Sequence, residues 1–164
     1  MNELSILLGA DRPDLIRDET LADLFAVSAE KFADKTALIF HDAHLTYAEL
    51  DRWSDAVAEY LRKNQIGRNC YVGVWWPRGF ELHVAILGIV KAGATYVPVD
   101  REIPAERVEV ILDEVGATAC FSMQALNVKC KMLQVPVQPS GTQNIAKLTS
   151  ANRDTSAIPA RFES

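Results

Sequence analysis

Four groups of residues in this chain have types and spacings that could do chemistry. His41 and His44 bracket Asp42 in an HxxH arrangement, the kind of spacing from which a metal site is built. Zinc needs three or four ligands, and no third or fourth lies nearby in the sequence, so the pair reads as a solvated turn. His83 stands among Leu82, Val84 and Ala85 without a nucleophile motif beside it, which suits a hydrogen-bonded helix residue better than a general base. Asp100, Glu102, Glu106 and Arg107 follow a strand-like run, and α/β sheets place their ligands at the carboxyl ends of strands. The competing reading has Asp100 satisfying backbone donors of its own loop, with Glu106 and Arg107 solvated or paired on a helix. Ser140-Gly141-Thr142 with Lys147 hints at a phosphate loop, but a phosphate cradle needs glycines that let successive N–H groups converge. Neither GxGxxG nor GxxxxGK[ST] occurs anywhere in the chain. These residues therefore receive no catalytic, cofactor-binding or metal-binding assignment.

The elements that would have to position such residues are legible from periodicity and caps. Thr20 and Asp23 have N-cap and N3 spacing, and Leu21, Leu24, Phe25, Ser28 and Phe32 recur on one face, predicting an amphipathic surface helix. Ala37 to Phe40 reads as a strand that enters a polar corner at His41 to His44. In Leu45-Thr46-Tyr47-Ala48-Glu49-Leu50, Thr46 and Glu49 form a capping box, and Leu45 and Leu50 form a hydrophobic staple. Leu50, Trp53, Ser54, Val57 and Leu61 then continue at helical spacing to Arg62 and Lys63, whose charge suits a helix carboxyl end.

Beyond Gly67, Tyr71 to Trp76 is a strand-length apolar run stopped by Pro77; adjacent Trp75 and Trp76 must face opposite sides. Phe80 to Ala92 is apolar almost all round and meets Gly93 where a left-handed residue ends helices, which predicts a buried helix. Tyr96 to Val99 returns as a strand, and Pro104 fits the first position of a helix carrying Val108, Ile111, Leu112 and Val115. Thr118 to Phe121 and Met132 to Val137 complete the strands. This alternation predicts an α/β fold: a layered, mainly parallel sheet with helices on its faces. Three zones follow, with a lead-in at 1–19, the periodic unit at 20–138, and an irregular, linker-like tail at 139–164 rich in Ser, Thr, Asn and Pro.

Composition excludes several classes of function. With 164 residues the chain makes about one domain. Apolar residues at 49% are enough for a core, which rules out wholesale disorder. A net charge of −5 without a basic run leaves no footprint for nucleic acid. The longest apolar stretch, Val84 to Val90, falls far short of the ~20 residues that cross a bilayer. Leu4 to Leu8 follows Glu3 rather than a basic region and does not read as a signal peptide, so a cytoplasmic location is expected. Cys70, Cys120 and Cys130 are odd in number and lack CxxC spacing, which suits free thiols.

Several segments do resemble a known family. They are Leu45 to Leu50, the run Val90-Lys91-Ala92-Gly93-Ala94-Thr95-Tyr96-Val97-Pro98-Val99-Asp100, and Pro104-Ala105-Glu106-Arg107 with Leu112-Asp113. Thr20 to Phe25, Asp34 to Leu38, and Arg78 followed by Phe80-Glu81-Leu82 agree in order and spacing. Together they resemble the first two core motifs of amino-acid adenylation domains from nonribosomal peptide synthetases, within the adenylate-forming superfamily of AMP-dependent synthetases and ligases. The resemblance runs from about Asp18 to Ser122. Leu7 to Leu15 bears a fainter likeness to the start of polylysine-synthetase-like members.

The resemblance implies the N-terminal subdomain of an ATP-dependent ligase that forms an aminoacyl adenylate with Mg and passes it to a phosphopantetheine thiol on a carrier protein. It also implies that the phosphate loop, adenine contacts, amino-acid pocket and catalytic lysine all follow this stretch, the loop beginning beyond Ser164. The expectation is therefore a portion that is inactive alone, with the remainder of the adenylation domain or a carrier protein as partner. Two alternatives remain: a noncatalytic interaction module derived from the same fold, or part of an acyl-CoA ligase. Trp75-Trp76 departs from the pattern, whereas Ala94 to Pro98 favours the amino-acid branch.

Overall fold

The structure is a computed structural model that describes residues 12–15 and 18–136 of the chain. After a single 3-10 turn at Pro13–Leu15, the elements are α1 (Leu21–Lys31), β1 (Thr36–Phe40), β2 (Ala43–Thr46), α2 (Tyr47–Lys63), β3 (Tyr71–Trp75) and α3 (Phe80–Lys91). They continue with β4 (Thr95–Pro98), α4 (Ala105–Glu114), β5 (Ala119–Ser122) and β6 (Lys131–Leu133). The irregular tail expected at 139–164, Val137, and the Leu4 to Leu8 run lie outside the described residues.

The strands β4-β3-β5-β6 form one sheet in that order, and all three pairings are parallel. Strand alternation sends Val72, Val74, Ala119, Phe121 and Leu133 to one face, where α2 and α3 cover them. Trp75 and Cys120 go to the other face, under Val108 and Leu112 of α4. Trp76 packs on the α2–α3 side, so the two tryptophans do face opposite ways. The α/β layering expected from the sequence is therefore the observed one. The link from β5 to β6 has no helix, and Leu126, Val128 and Cys130 from it lie against the α4 side.

Local chemistry explains the best-defined helix. Thr46 Oγ1 accepts from the Glu49 N–H at 3.2 Å, and Glu49 Oε2 accepts from the Thr46 N–H at 2.8 Å. The next two donors of the first turn are also engaged, Tyr47 N–H on the Lys35 carbonyl at 2.9 Å and Ala48 N–H on the Ala33 carbonyl at 3.0 Å. Leu45 and Leu50 are both buried as a staple requires. The whole predicted stripe, Leu50, Trp53, Ser54, Val57 and Leu61, is buried. Each such apolar side chain contributes roughly 1.5–3 kcal/mol when fully removed from water. At the crossing of α2 and α3, Gly88 permits close approach; a Cβ there would lie 2.4 Å from Val57 Cγ1.

Several expectations need correction. His44 is in strand β2 rather than in a turn: β1 and β2 form a separate antiparallel hairpin, with Phe40 opposite Ala43 and Ile39 opposite His44. The chain reverses within His41-Asp42, and His41 takes a left-handed φ of 52°. Pro104 is the N-cap of α4 rather than its first helical residue, and the fifth strand starts at Ala119, one residue later than expected. α1 begins at its Thr20–Asp23 capping box as predicted, but its packed face is rotated, because Leu21 and Leu24 are exposed whereas Ala29 is buried. α3 is only half-buried along Leu82, Ile86, Leu87 and Val90.

Candidate functional site: the carboxyl edge of the sheet

At the carboxyl edge the connections after β3 and β5 lead to opposite faces of the sheet, the arrangement that creates a ligand crevice in open α/β folds. Several polar groups there are spent on holding the edge itself. Trp75 Nε1 donates to the Asp100 carbonyl at 3.1 Å, and Asp100 Oδ1 accepts from the Glu102 N–H at 3.0 Å. Asp100 therefore does satisfy its own loop. Ser122 is fully buried; its hydroxyl donates to the Gln124 carbonyl and accepts from the Gln124 N–H, and Gln134 Nε2 reaches its carbonyl at 2.7 Å.

Glu102, Glu106 and Arg107 are exposed, and Glu102 meets Asp100 through its backbone N–H. His83 is exposed, with Nδ1 2.9 Å from the Gly79 carbonyl one turn back, which is the hydrogen-bonded helix role expected of it. The ring of His41 packs edge-on against Phe40, with centroids 4.3 Å apart, and His44 is exposed on β2. Among the described residues no cluster of three His, Cys, Asp or Glu could hold a metal ion. Ser140-Gly141-Thr142 and Lys147 lie outside the described residues.

Helix ends complete the geometry of this edge. α3 starts here at Gly79, which offers no side-chain cap. α2 starts elsewhere, and its first donors are consumed by its own box and the 33–35 turn. Among the described residues neither phosphate-loop pattern, GxGxxG or GxxxxGK[ST], occurs, and no three His, Cys, Asp or Glu gather for an ion. No catalytic step is derived through these groups.

Sequence reasoning missed the most connected polar cluster, which lies where α1, α2 and α3 meet. Lys91 has a side chain only 10% exposed; its ammonium donates to Asp51 Oδ1 at 2.6 Å, Asp55 Oδ1 at 2.7 Å and the Asp51 carbonyl at 3.0 Å. The same ammonium sits 5.3 Å from the centre of the Phe25 ring. Arg62 in turn donates to the Lys91 carbonyl. One signal was available in the sequence: Asp51 and Asp55 are one helical turn apart on the flank of the apolar stripe of α2. Their partner lies 36 to 40 residues away, and only packing brings it in.

The thiols are free. Burial, with Cys130 nearby, pushes the Cys120 thiol up to about 12, and burial raises Cys130 as well. Neither is a poised nucleophile. A cleft of about 380 Å³ beside Cys130, lined by Asp113, Thr118 and Lys129, opens at the opposite, amino edge of the sheet.

Fold and edge together define a class: a doubly covered parallel α/β unit whose carboxyl edge is tied by its own turns. The chain belongs to the AMP-binding enzyme family, whose pattern matches residues 25–160. It is 41% identical to tyrocidine synthase 2 of Brevibacillus parabrevis over 92% of this chain and 5% of that protein. It is 38% identical to delta-poly-L-ornithine synthetase of Acinetobacter baumannii over 74% of this chain and 9% of that one. The chain thus spans under a tenth of the length of these relatives. Among solved structures, the NpsA N-terminal subdomain of Klebsiella oxytoca in complex with anthranilyl-AMSN matches with a TM-score of 0.67 and 28% identity, covering 71% of this chain and 30% of that one. The adenylation-domain resemblance read from the motifs is thereby established, and the chain corresponds to the N-terminal part of such a domain. Among the described residues no helix is long and apolar enough to cross a membrane.

Proposed function

We propose that the chain is the opening portion of an ATP-dependent amino-acid adenylating ligase of nonribosomal peptide synthesis, and that it supplies scaffold and no catalytic side chain. In the complete enzyme ATP with Mg would activate an amino acid as its adenylate, and a phosphopantetheine-bearing carrier protein would take up the aminoacyl group. The chain divides in this reading into a lead-in at 1–19, the packed unit at 20–138 and a tail at 139–164, and works in the cytoplasm beside the remainder of its domain. The reading rests on one observation: the family match that starts at residue 25 runs through the described fold, which resembles an adenylation N-terminal subdomain at a TM-score of 0.67.

ATP–pyrophosphate exchange on the purified 164-residue chain tests it. No exchange is expected with any amino acid, whereas turnover, or nucleotide retained through gel filtration, overturns the scaffold assignment. A second measurement separates this reading from an evolved interaction module. Leu21, Val27, Ile39 and Met123 are exposed at 68%, 63%, 76% and 64%, and in this reading the remainder of the domain would cover such side chains. Light scattering is therefore expected to show concentration-dependent association; a monodisperse chain with one cooperative thermal transition would favour the module.

A further inference from the structure

α1 is attached to the molecule unevenly along its length. At its carboxyl end the 32–35 turn is tied through the Ala33 and Lys35 carbonyls to the first turn of α2. At its middle the Phe25 ring covers the Lys91 ammonium at 5.3 Å and lies 6.1 Å from the Tyr47 ring. At its amino end the Thr20–Asp23 box closes on itself, and a cleft of about 310 Å³ separates Ala22 and Ala26 from Asp51 and Arg62. Ala29 is the helix's one buried residue, whereas α2 buries six.

The charges beneath α1 do not depend on it. Lys91 keeps Asp51 and Asp55, both on α2, when α1 is absent, so lifting the helix strands no buried ion. An undocked helix of 11 residues is also too short to persist in water. Undocking and unfolding of α1 are therefore one event, and its amides exchange whenever it occurs.

We propose that α1 is a strap that opens as a unit about the 32–35 turn, latched by Phe25 over Lys91, while α2, α3 and the sheet stay folded. Hydrogen exchange followed by mass spectrometry on the full chain tests this. Amides in the second half of α1 are expected to exchange roughly tenfold or more faster than those in the middle of α2 and α3. Phe25→Ala should raise α1 exchange severalfold and leave α2 and α3 within about twofold; Lys91→Met, which also removes the ties from α3 to Asp51 and Asp55, should raise α1 exchange at least as much, and Lys91→Arg, whose guanidinium can still stack on the ring, should restore the slower rate. Equal exchange in all three helices of the unmodified chain overturns the strap, as does acceleration of all three together in Phe25→Ala. If Lys91→Met fails to fold, the unmodified chain and Phe25→Ala still decide the matter.

Discussion

The two faces of the sheet are built to different depths. On one side α2 and α3 cross over β3 and β5, and their contact is so close that Gly88 has a valine where a Cβ would stand. On the other, α4 and the 123–130 link cover a smaller cluster around Trp75, Cys120 and Leu112. The difference teaches that the first face is a finished core, in which helix packs helix as well as sheet, whereas the second is a single covering layer. Energetic cost should follow that asymmetry.

The largest effect is expected from cavities. Leu61→Ala on the α2–α3 face should destabilise by about 2–5 kcal/mol, and Leu112→Ala on the α4 face should fall at the low end of that range, because a thin layer collapses more easily onto the space left. Urea unfolding of both variants measures the gap; equal losses would mean the two faces are one core. Overpacking comes next. Gly88→Ala puts a methyl 2.4 Å from Val57 Cγ1 and 3.1 Å from the Ser54 carbonyl, so the helices themselves must part, at a cost of about 1–3 kcal/mol. Gly73→Ala meets only side-chain atoms of the thinner face, Leu112 Cδ2 at 2.4 Å and Cys120 Sγ at 3.0 Å, and no backbone, so its midpoint should shift less.

Caps follow the same order. Thr46→Ala removes the box of a half-buried helix start that also anchors the 33–35 turn, and should cost ~1 kcal/mol; Thr20→Ala, on an exposed start, should cost less. The Thr20 hydroxyl and N–H hold the Asp23 carboxyl below its ordinary range. Its small stabilising share is thus present above the ordinary carboxylate pKa and fades as pH falls through the lower folded value. Acid titration of the two Thr variants by circular dichroism reads this share, and an unchanged acid limb in Thr20→Ala would show the box contributes nothing.

Thiol labelling gives the finest view. Cys120 is fully buried on the thinner face with its thiol up to about 12, so at pH 8 it should react only when the chain opens. Labelling of Cys120 faster than global unfolding would show that the α4 layer lifts independently.

Much of this architecture was written locally. The Thr46–Glu49 box, the Leu50 to Leu61 stripe, the Gly93 stop with φ at 81° and the apolar run at Tyr71 to Trp76 each depend on neighbours within a few residues, and each appears where the spacing put it, save that the strand ends one residue early at Trp75. The hydrogen-bonded helix role of His83 and the loop role of Asp100 were legible for the same reason, since both bond within four residues of themselves. Tertiary structure alone decided the rest. It chose which side of α1 is buried, because a helix with apolar residues around more than half its circumference has no preferred face until a neighbour supplies one. It paired the β1–β2 hairpin apart from the main sheet, and it brought Lys91 onto two aspartates of another helix. Caps are read from residues three apart, whereas a buried ammonium finds its partners only after the chain has closed a loop of some forty residues.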